Sequence, residues 1–343
     1  MRIFQTVSIL VVIIVGSLYA FHKKTDIQAI EGQIFNTYYK IKARTPKLPI
    51  DLLKQIKIAL EEVNQQMSVF VADSEISKIN QATAAETIAL SKPLSYVLQT
   101  SAKINNESSG AFDPTISPLI DLWGFGKGHK FQNPSDEQIN KILEYSNFNK
   151  LKFASDYSSL TKTDSRTQLN LSAIAKGYAV DKISTLLEEH NIKNYIVEIG
   201  GEVRVSGNKD SRGNLWSIGL GVPLATSKAN AFTMDITDIA VATSGDYRNF
   251  IEKDGLRFSH TISPKTGKPV TNNLASVTVF ANTCMEADAY ATAIMSMGYE
   301  KGLEMSEKLN LPVIFFLHNN NNGFDIKSSA AAKELIGIEN ETN

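Results

Sequence analysis

The chain has 343 residues, with 35 Lys and Arg against 36 Asp and Glu, for a formal net charge of −1. That balance excludes a strongly basic nucleic-acid binder, and 43% hydrophobic with 21% charged residues excludes a disordered or collagen-like chain. The length fits one large domain or two closely packed lobes at roughly 150 residues per domain, and the single cysteine, Cys284, allows neither an internal disulfide nor a multi-thiolate zinc site.

Arg2 precedes an uncharged run over residues 7–21, VSILVVIIVGSLYAF, which His22, Lys23 and Lys24 follow. The run falls between the ~7–15 apolar residues of a secretory signal and the ~20 of a spanning helix. Leu18, two places before Ala20, is a poor match to a small-x-small cleavage site, and no cysteine stands nearby to carry a lipid. Residues 1–24 therefore read as a membrane-targeting segment, an uncleaved anchor being favoured over a cleaved signal. Residues 25–338 are expected as one exported unit and 339–343 as a flexible tail.

Residues 32–42 alternate aromatic or β-branched with polar side chains, which predicts a half-buried strand. A broad apolar stripe predicts a helix over 51–66, and a second is expected over 91–105. Residues 110–128, GAFDPTISPLIDLWGFGKG, combine prolines, glycines and large aromatics in a loop too apolar to be a solvated linker, so it is expected to be built around something. A short surface helix is expected over 136–144 and short strands over 156–159 and 164–166. Residues 171–190 predict a tight turn and then a helix with Ala175, Ala179, Ile183 and Leu187 inward. Further strands are expected at 195–199, 216–220, 231–236, 239–244, 247–251, 275–281 and 313–318. A turn at Gly200-Gly201, a helix over 285–297 and a polar turn over 319–323 complete the list. Strands and helices mix without a regular βαβ period, so the expected class is α+β with mainly antiparallel sheets.

Gly124-Phe-Gly-Lys-Gly128 is no dinucleotide fingerprint, because no strand leads into it and no apolar helix follows directly. No phosphate-binding loop, His-Glu-x-x-His pair or Gly-x-Ser-x-Gly elbow occurs. Four segments carry candidate chemistry. Around Asn170-Leu-Ser-Ala-Ile-Ala-Lys-Gly-Tyr178, small residues open a helix with Lys176 in its first turn. That suits phosphate binding, or equally a surface lysine on a helix packed closely through Ala and Gly. Cys284, Asp288 and Thr292 are four apart and share one helix face. The carboxylate and hydroxyl are hard oxygen donors of the kind Mg²⁺ accepts, or an Asp serving the helix dipole and a Thr bonding back to a carbonyl. His260 reads either as a proton acceptor near neutral pH or as a strand-end residue satisfied by backbone. The hydroxyls of Ala242-Thr-Ser-Gly-Asp-Tyr247 line a site or simply make a turn.

In order along the chain, Ser74-Glu-Ile-Ser-Lys-Ile-Asn80, Gly110-Ala-Phe-Asp-Pro-Thr-Ile-Ser-Pro118, Trp123-Gly-Phe-Gly126, Ala173-Ile-Ala-Lys-Gly-Tyr-Ala-Val-Asp181, Ile199-Gly-Gly-Glu202, Ala242-Thr-Ser-Gly-Asp-Tyr247, His260-Thr-Ile-Ser-Pro-Lys-Thr-Gly267 and the 284–292 segment resemble the ApbE family of FAD:protein FMN transferases. The resemblance spans about Glu31 to Leu335. It implies a Mg²⁺-dependent enzyme that takes FAD as substrate, attaches FMN through a phosphoester to a Thr or Ser of an acceptor flavoprotein and releases AMP. Redox subunits of the Nqr and Rnf type are among the family's acceptors, so the expected place is the periplasmic face of the inner membrane.

Carried over by position, the metal ligands are the carbonyl of Ala173 and the side chains of Asp288 and Thr292. Flavin contacts fall at Phe35, Phe70, Ala111, Phe112, Asp113, Asn170, Lys176 and Ile262, with His260 near the reacting phosphate. The chain departs from the family pattern at Phe35-Asn-Thr37 for Met-Gly-Thr, at Asn170 and Ser263 for Asp, and at Ser172-Ala173 for paired Gly. A FAD pyrophosphatase and a non-catalytic FAD-binding protein are the alternative functions.

Overall fold

Residues 27–126, 132–220, 233–245, 250–253, 256–259, 261–319 and 323–337 are described by the computed structural model. The expected segments 1–24 and 339–343, His260, and the tip of the turn at 320–322 lie outside them. So do parts of the strands expected at 231–236 and 247–251. No helix among the described residues is long and apolar enough to cross a membrane.

The strands, in chain order, are β1 (Ile27–Ile34), β2 (Thr37–Arg44), β3 (Thr87–Ala89), β4 (Leu151–Phe153), β5 (Ser159–Lys162), β6 (Tyr195–Ile199), β7 (Glu202–Ser206), β8 (Trp216–Gly219), β9 (Thr233–Ile236), β10 (Ile239–Gly245), β11 (Phe250–Lys253), β12 (Leu256–Ser259), β13 (Leu274–Ala281), β14 (Val313–His318) and β15 (Phe324–Ser328). The helices are α1 (Ile50–Met67), α2 (Glu75–Gln81), α3 (Lys92–Glu107), α4 (Ser117–Leu122), α5 (Asp136–Leu143), α6 (Ala175–Glu189), α7 (Cys284–Met297), α8 (Tyr299–Lys308) and α9 (Ala330–Ile336).

Eight strands form one sheet in the order β1-β2-β6-β7-β10-β13-β14-β15, with every neighbouring pair antiparallel. β13 and β14 read as continuous apolar runs because both faces of the sheet are covered. Val277, Val279, Val313 and Phe315 point to the face where α1, α3, α6 and α7 pack. Their neighbours Phe280, Ile314 and Phe316 point to the other, against Trp216, Ile218, Met234, Ile236 and Ala332. Each such side chain contributes about 1.5–3 kcal/mol by leaving water. α7 is buried at ten of its positions, on all sides, as a helix sandwiched between a sheet and other helices must be. The α+β class with antiparallel sheets is thus observed.

Two expectations are corrected. The strand read over 32–42 is a hairpin: β1 and β2 pair from Ile34↔Thr37 outward, and Phe35 and Asn36 turn the chain with φ of 52° and 58°. Both central residues of such a turn need the left-handed region, and with no glycine present the alternation runs on through the bend. The strands expected at 156–159 and 164–166 lie instead at β4 and β5. Asp156 Oδ1 accepts from the Ser158 amide at 3.0 Å, and Asp164 Oδ1 from the Arg166 amide at 3.0 Å. An Asp that captures the amide two residues on makes a turn rather than a ladder.

Lys162, on β5, is 1% exposed. Its ammonium donates to the carbonyls of Asn80, Ser165 and Thr167 at 3.0, 3.1 and 3.3 Å, and burial lowers its pKa. Lys162→Met, of similar volume, strands three carbonyls that have lost their donor. It is expected to cost about 2–3 kcal/mol, read by urea unfolding.

Candidate active site

The site begins at a helix contact. Gly177, in the first turn of α6, meets the start of α7 so closely that a Cβ there would lie 2.3 Å from the Cys284 carbonyl oxygen and 2.7 Å from the Met285 Cα. One turn further along α6, the Asp181 carboxylate accepts from the Cys284 and Met285 amides at 2.9 and 2.8 Å. It thereby satisfies two of the amides that a helix start leaves unpaired. Burial raises the Asp181 pKa, and the two amides and Arg204 act against that rise. Arg204 Nη1 on β7 reaches Asp181 Oδ1 at 2.9 Å. The Cys284 thiol is fully buried here, and burial pushes its pKa well up, so it packs rather than reacts.

This clamp fixes Asp288, one turn into α7, against the start of α6. Asp288 Oδ2 accepts from the Gly177 amide at 3.1 Å and lies 3.5 Å from Lys176 Nζ. Lys176 Nζ is also 3.3 Å from Glu202 Oε1 and donates to the Ser172 carbonyl at 3.2 Å. Although burial works against its charge, the two carboxylates hold the Lys176 ammonium above the usual lysine range. Glu202 is 5% exposed, and burial, reinforced by Asp288 and opposed by Lys176, pushes its carboxyl up to about 7. Its Oε2 is buried with no partner among the described residues.

These groups line a cavity of about 490 Å³, within the usual range for a small-molecule site. Ala173, Asp288 and Thr292 share its wall, as do Thr243 and Ser244, so those two hydroxyl residues do line a cavity. Ser244 Oγ is 3.4 Å from Thr292 Oγ1. A carboxylate, hydroxyls and a backbone carbonyl form the all-oxygen donor set that Mg²⁺ takes when phosphate and water complete its shell. No group of three His, Cys, Asp or Glu gathers among the described residues.

Phe35, Ala111, Phe112, Asp113, Asn170, Lys176 and Ile262 all line this cavity. Phe70 does not. It is 52% exposed and lines an adjoining cavity of about 270 Å³, to which Phe35, Asn170 and Lys176 also contribute. The loop after α3 forms the opposite wall, as its apolar character implied. Its Leu119 and Trp123 pack with Ile139 and Ile262, and Trp123 Nε1 donates to the Gly267 carbonyl at 2.7 Å. Asp113 contributes backbone and shape rather than a free carboxylate. Oδ1 accepts from the Thr115 amide and hydroxyl, and Oδ2 from the Phe148 amide.

The departures from the family pattern have physical counterparts. Asn36 holds the left-handed conformation that a glycine would take, which Asn tolerates better than most residues. Asn170 Oδ1 accepts from the Ser172 amide at 2.9 Å, and the Asn170 amide donates to the Pro114 carbonyl at 2.8 Å. An acceptor oxygen, which Asn shares with Asp, suffices for that turn. Asn80, from the first quoted motif, clasps Leu169 through both its amide oxygen and nitrogen, so it holds the approach to α6. The residues that sequence reasoning left without a role are Glu202 and Asp181. Both stood inside quoted motifs, and their charge was the available signal.

A helix start packed against a buried carboxylate pair, with aromatics in the same wall, forms a cavity of small-molecule size. Residues 35–315 match the ApbE family, and the chain belongs to that family, as its motifs implied. It is 37% identical over 312 residues to the FAD:protein FMN transferase of Vibrio cholerae, covering 90% of this chain and 92% of that one. It is 36% identical over 332 residues to the protein of the same name from Haemophilus influenzae, covering 93% and 94%. The fold superposes on the flavin transferase ApbE from Vibrio cholerae with a TM-score of 0.82 at 36% identity, covering 90% of this chain and 99% of that one. On the apo Pseudomonas stutzeri flavinyl transferase ApbE the TM-score is 0.85 at 30% identity, covering 93% and 99%.

Gly177→Ala forces backbone against backbone at the α6–α7 contact. It is expected to cost about 2–3 kcal/mol in urea unfolding.

Proposed function

We infer that this chain is an FAD:protein FMN transferase, carrying FMN from FAD to a Thr or Ser hydroxyl of an acceptor flavoprotein with release of AMP. The observation that supports it best is the charge of the site. Lys176 lies between Glu202 and Asp288, so the cluster has no spare positive charge to offer a pyrophosphate. An anionic ligand there needs a cation of its own, and Ala173, Asp288 and Thr292, whose oxygens are the donors that would hold one, line the same cavity. Mg²⁺ held by them would supply neutralisation of the charge that develops on the phosphate oxygens.

The chain's own groups do the rest. Phe35 and Ile262 flank the flat ring systems. The acceptor oxygen bonds to the FMN-side phosphorus while the pyrophosphate P–O bond breaks and AMP departs with its oxygen. His260, by its place in the motif His260-Thr-Ile-Ser-Pro264, takes the acceptor's proton. The nucleophile comes with the partner, which accounts for the absence of a nucleophile motif in this chain. The acceptor class is a redox subunit of the Nqr or Rnf type. The 7–21 run supports a catalytic unit carried by its N-terminal segment at the periplasmic face of the inner membrane.

Incubating the chain with FAD, Mg²⁺ and an apo redox subunit of that type, followed by denaturing electrophoresis, is expected to show flavin fluorescence on the acceptor band. Free FMN and AMP with an unlabelled acceptor would identify a FAD pyrophosphatase instead, and intact FAD a binding protein. Asp288→Asn keeps an acceptor for the Gly177 amide but removes the charge. It is expected to lower Mg²⁺-dependent labelling about 100-fold or more with its thermal midpoint little changed. Labelling at the wild-type rate would remove Asp288 from the metal site.

A further inference from the structure

Glu202 is buried as completely as Asp288, at 5% against 4% exposed, yet the oxygens of Ala173, Asp288 and Thr292 make a metal site without it. Its Oε2 faces the turn between β6 and β7, where a Cβ on Gly200 would stand 3.5 Å away. That oxygen is sealed from solvent and has no partner among the described residues, so it meets neither ligand nor cation. Its Oε1 lies 3.3 Å from Lys176 Nζ. Glu202 therefore reaches the site only through Lys176.

Three acceptors surround the Lys176 ammonium, which has three donors to give: the Ser172 carbonyl at 3.2 Å, Glu202 Oε1 at 3.3 Å and Asp288 Oδ2 at 3.5 Å. A divalent cation on Asp288 would share that carboxylate with the ammonium, and like charges so close repel. One of the two has to give way. With Glu202 in place, Lys176 can leave Asp288 and still have a carboxylate and a carbonyl to hold it. With the Glu202 charge removed, Asp288 is the one carboxylate left beside Lys176 among the described residues.

We propose that Glu202 is a positioning residue for the metal site: as the standing counter-ion of Lys176, it lets the ammonium release Asp288 to a divalent cation while keeping that ammonium in the cavity wall. The proposal rests on the metal site of the transferase reading above and not on the transfer step.

The test uses the full chain without FAD or acceptor. Mn²⁺, which takes the same hard oxygen donors as Mg²⁺, is titrated in and the free ion is counted by its electron paramagnetic resonance signal. The titration is run at pH 8, above the value of about 7 to which burial pushes the Glu202 carboxyl. Glu202→Gln keeps an acceptor oxygen for Lys176 but loses the charge, and is expected to weaken Mn²⁺ binding about fivefold or more. Lys176→Met removes the competing ammonium and is expected to tighten Mn²⁺ binding about fivefold or more, while adding Glu202→Gln to it changes the affinity less than about twofold. A wild-type Mn²⁺ affinity in Glu202→Gln overturns the proposal. An equal loss from Glu202→Gln in both backgrounds also overturns it, because Glu202 would then act on the cation without Lys176. If Glu202→Gln does not fold, Lys176→Met decides alone, and an unchanged or weakened Mn²⁺ affinity in that variant overturns the proposal. A wild-type chain that binds no Mn²⁺ removes the metal site and the proposal with it. The expected affinities in a chain that labels no acceptor would support the proposal and overturn only the transfer reading.

Discussion

The contact between α6 and α7 sets the positions of Lys176 and Asp288. Helix axes ordinarily keep about 8–10 Å apart because side chains intervene. At Gly177 no side chain intervenes, and the backbone of one helix touches the backbone of the other. That approach brings the Gly177 amide to Asp288 and carries Lys176, its neighbour, to the same carboxylate. Asp181 then fixes the two helices lengthwise by capping α7 from α6. Arg204 joins that clamp to the sheet through β7, the strand that also begins with Glu202. The ammonium and both carboxylates are thus tied to one rigid junction between two helices and a strand. Positioning groups on packed elements rather than on mobile loops is the general condition for a precise site.

Much of the fold was legible because its strongest elements repeat their apolar residues at helix or strand spacing. α1, α3, α7 and β14 were all read within two residues of their observed ends. Short elements carry too few residues for a period to show, so β3 and β4, three residues each, went unread or misplaced. The hairpin at Phe35–Asn36 escaped for another reason. Its turn is made by an aromatic residue and an asparagine in a conformation that usually advertises itself through glycine.

The site was legible as a set of motifs but not as a set of contacts. Lys176 read as a lone cation awaiting phosphate, because its two carboxylate partners lie far along the chain on other elements. Glu202 stood in a recognised motif, yet only the pairing of β7 with β6 and β10 turns its carboxyl toward α6. Asp113 shows the opposite. Its place in the cavity lining agrees with what its motif implied, while the engagement of its carboxylate by Thr115 and Phe148 depends on a loop closure that sequence spacing does not reveal.

Cys284 has a consequence for where such a protein can work. Thiol oxidation and disulfide exchange proceed through an accessible thiolate. This thiol is sealed beneath the α6–α7 junction and held protonated by its surroundings. The one thiol of the chain is therefore silent. The junction keeps the same covalent state in an oxidising compartment as in a reducing one, and folding waits on no disulfide oxidase.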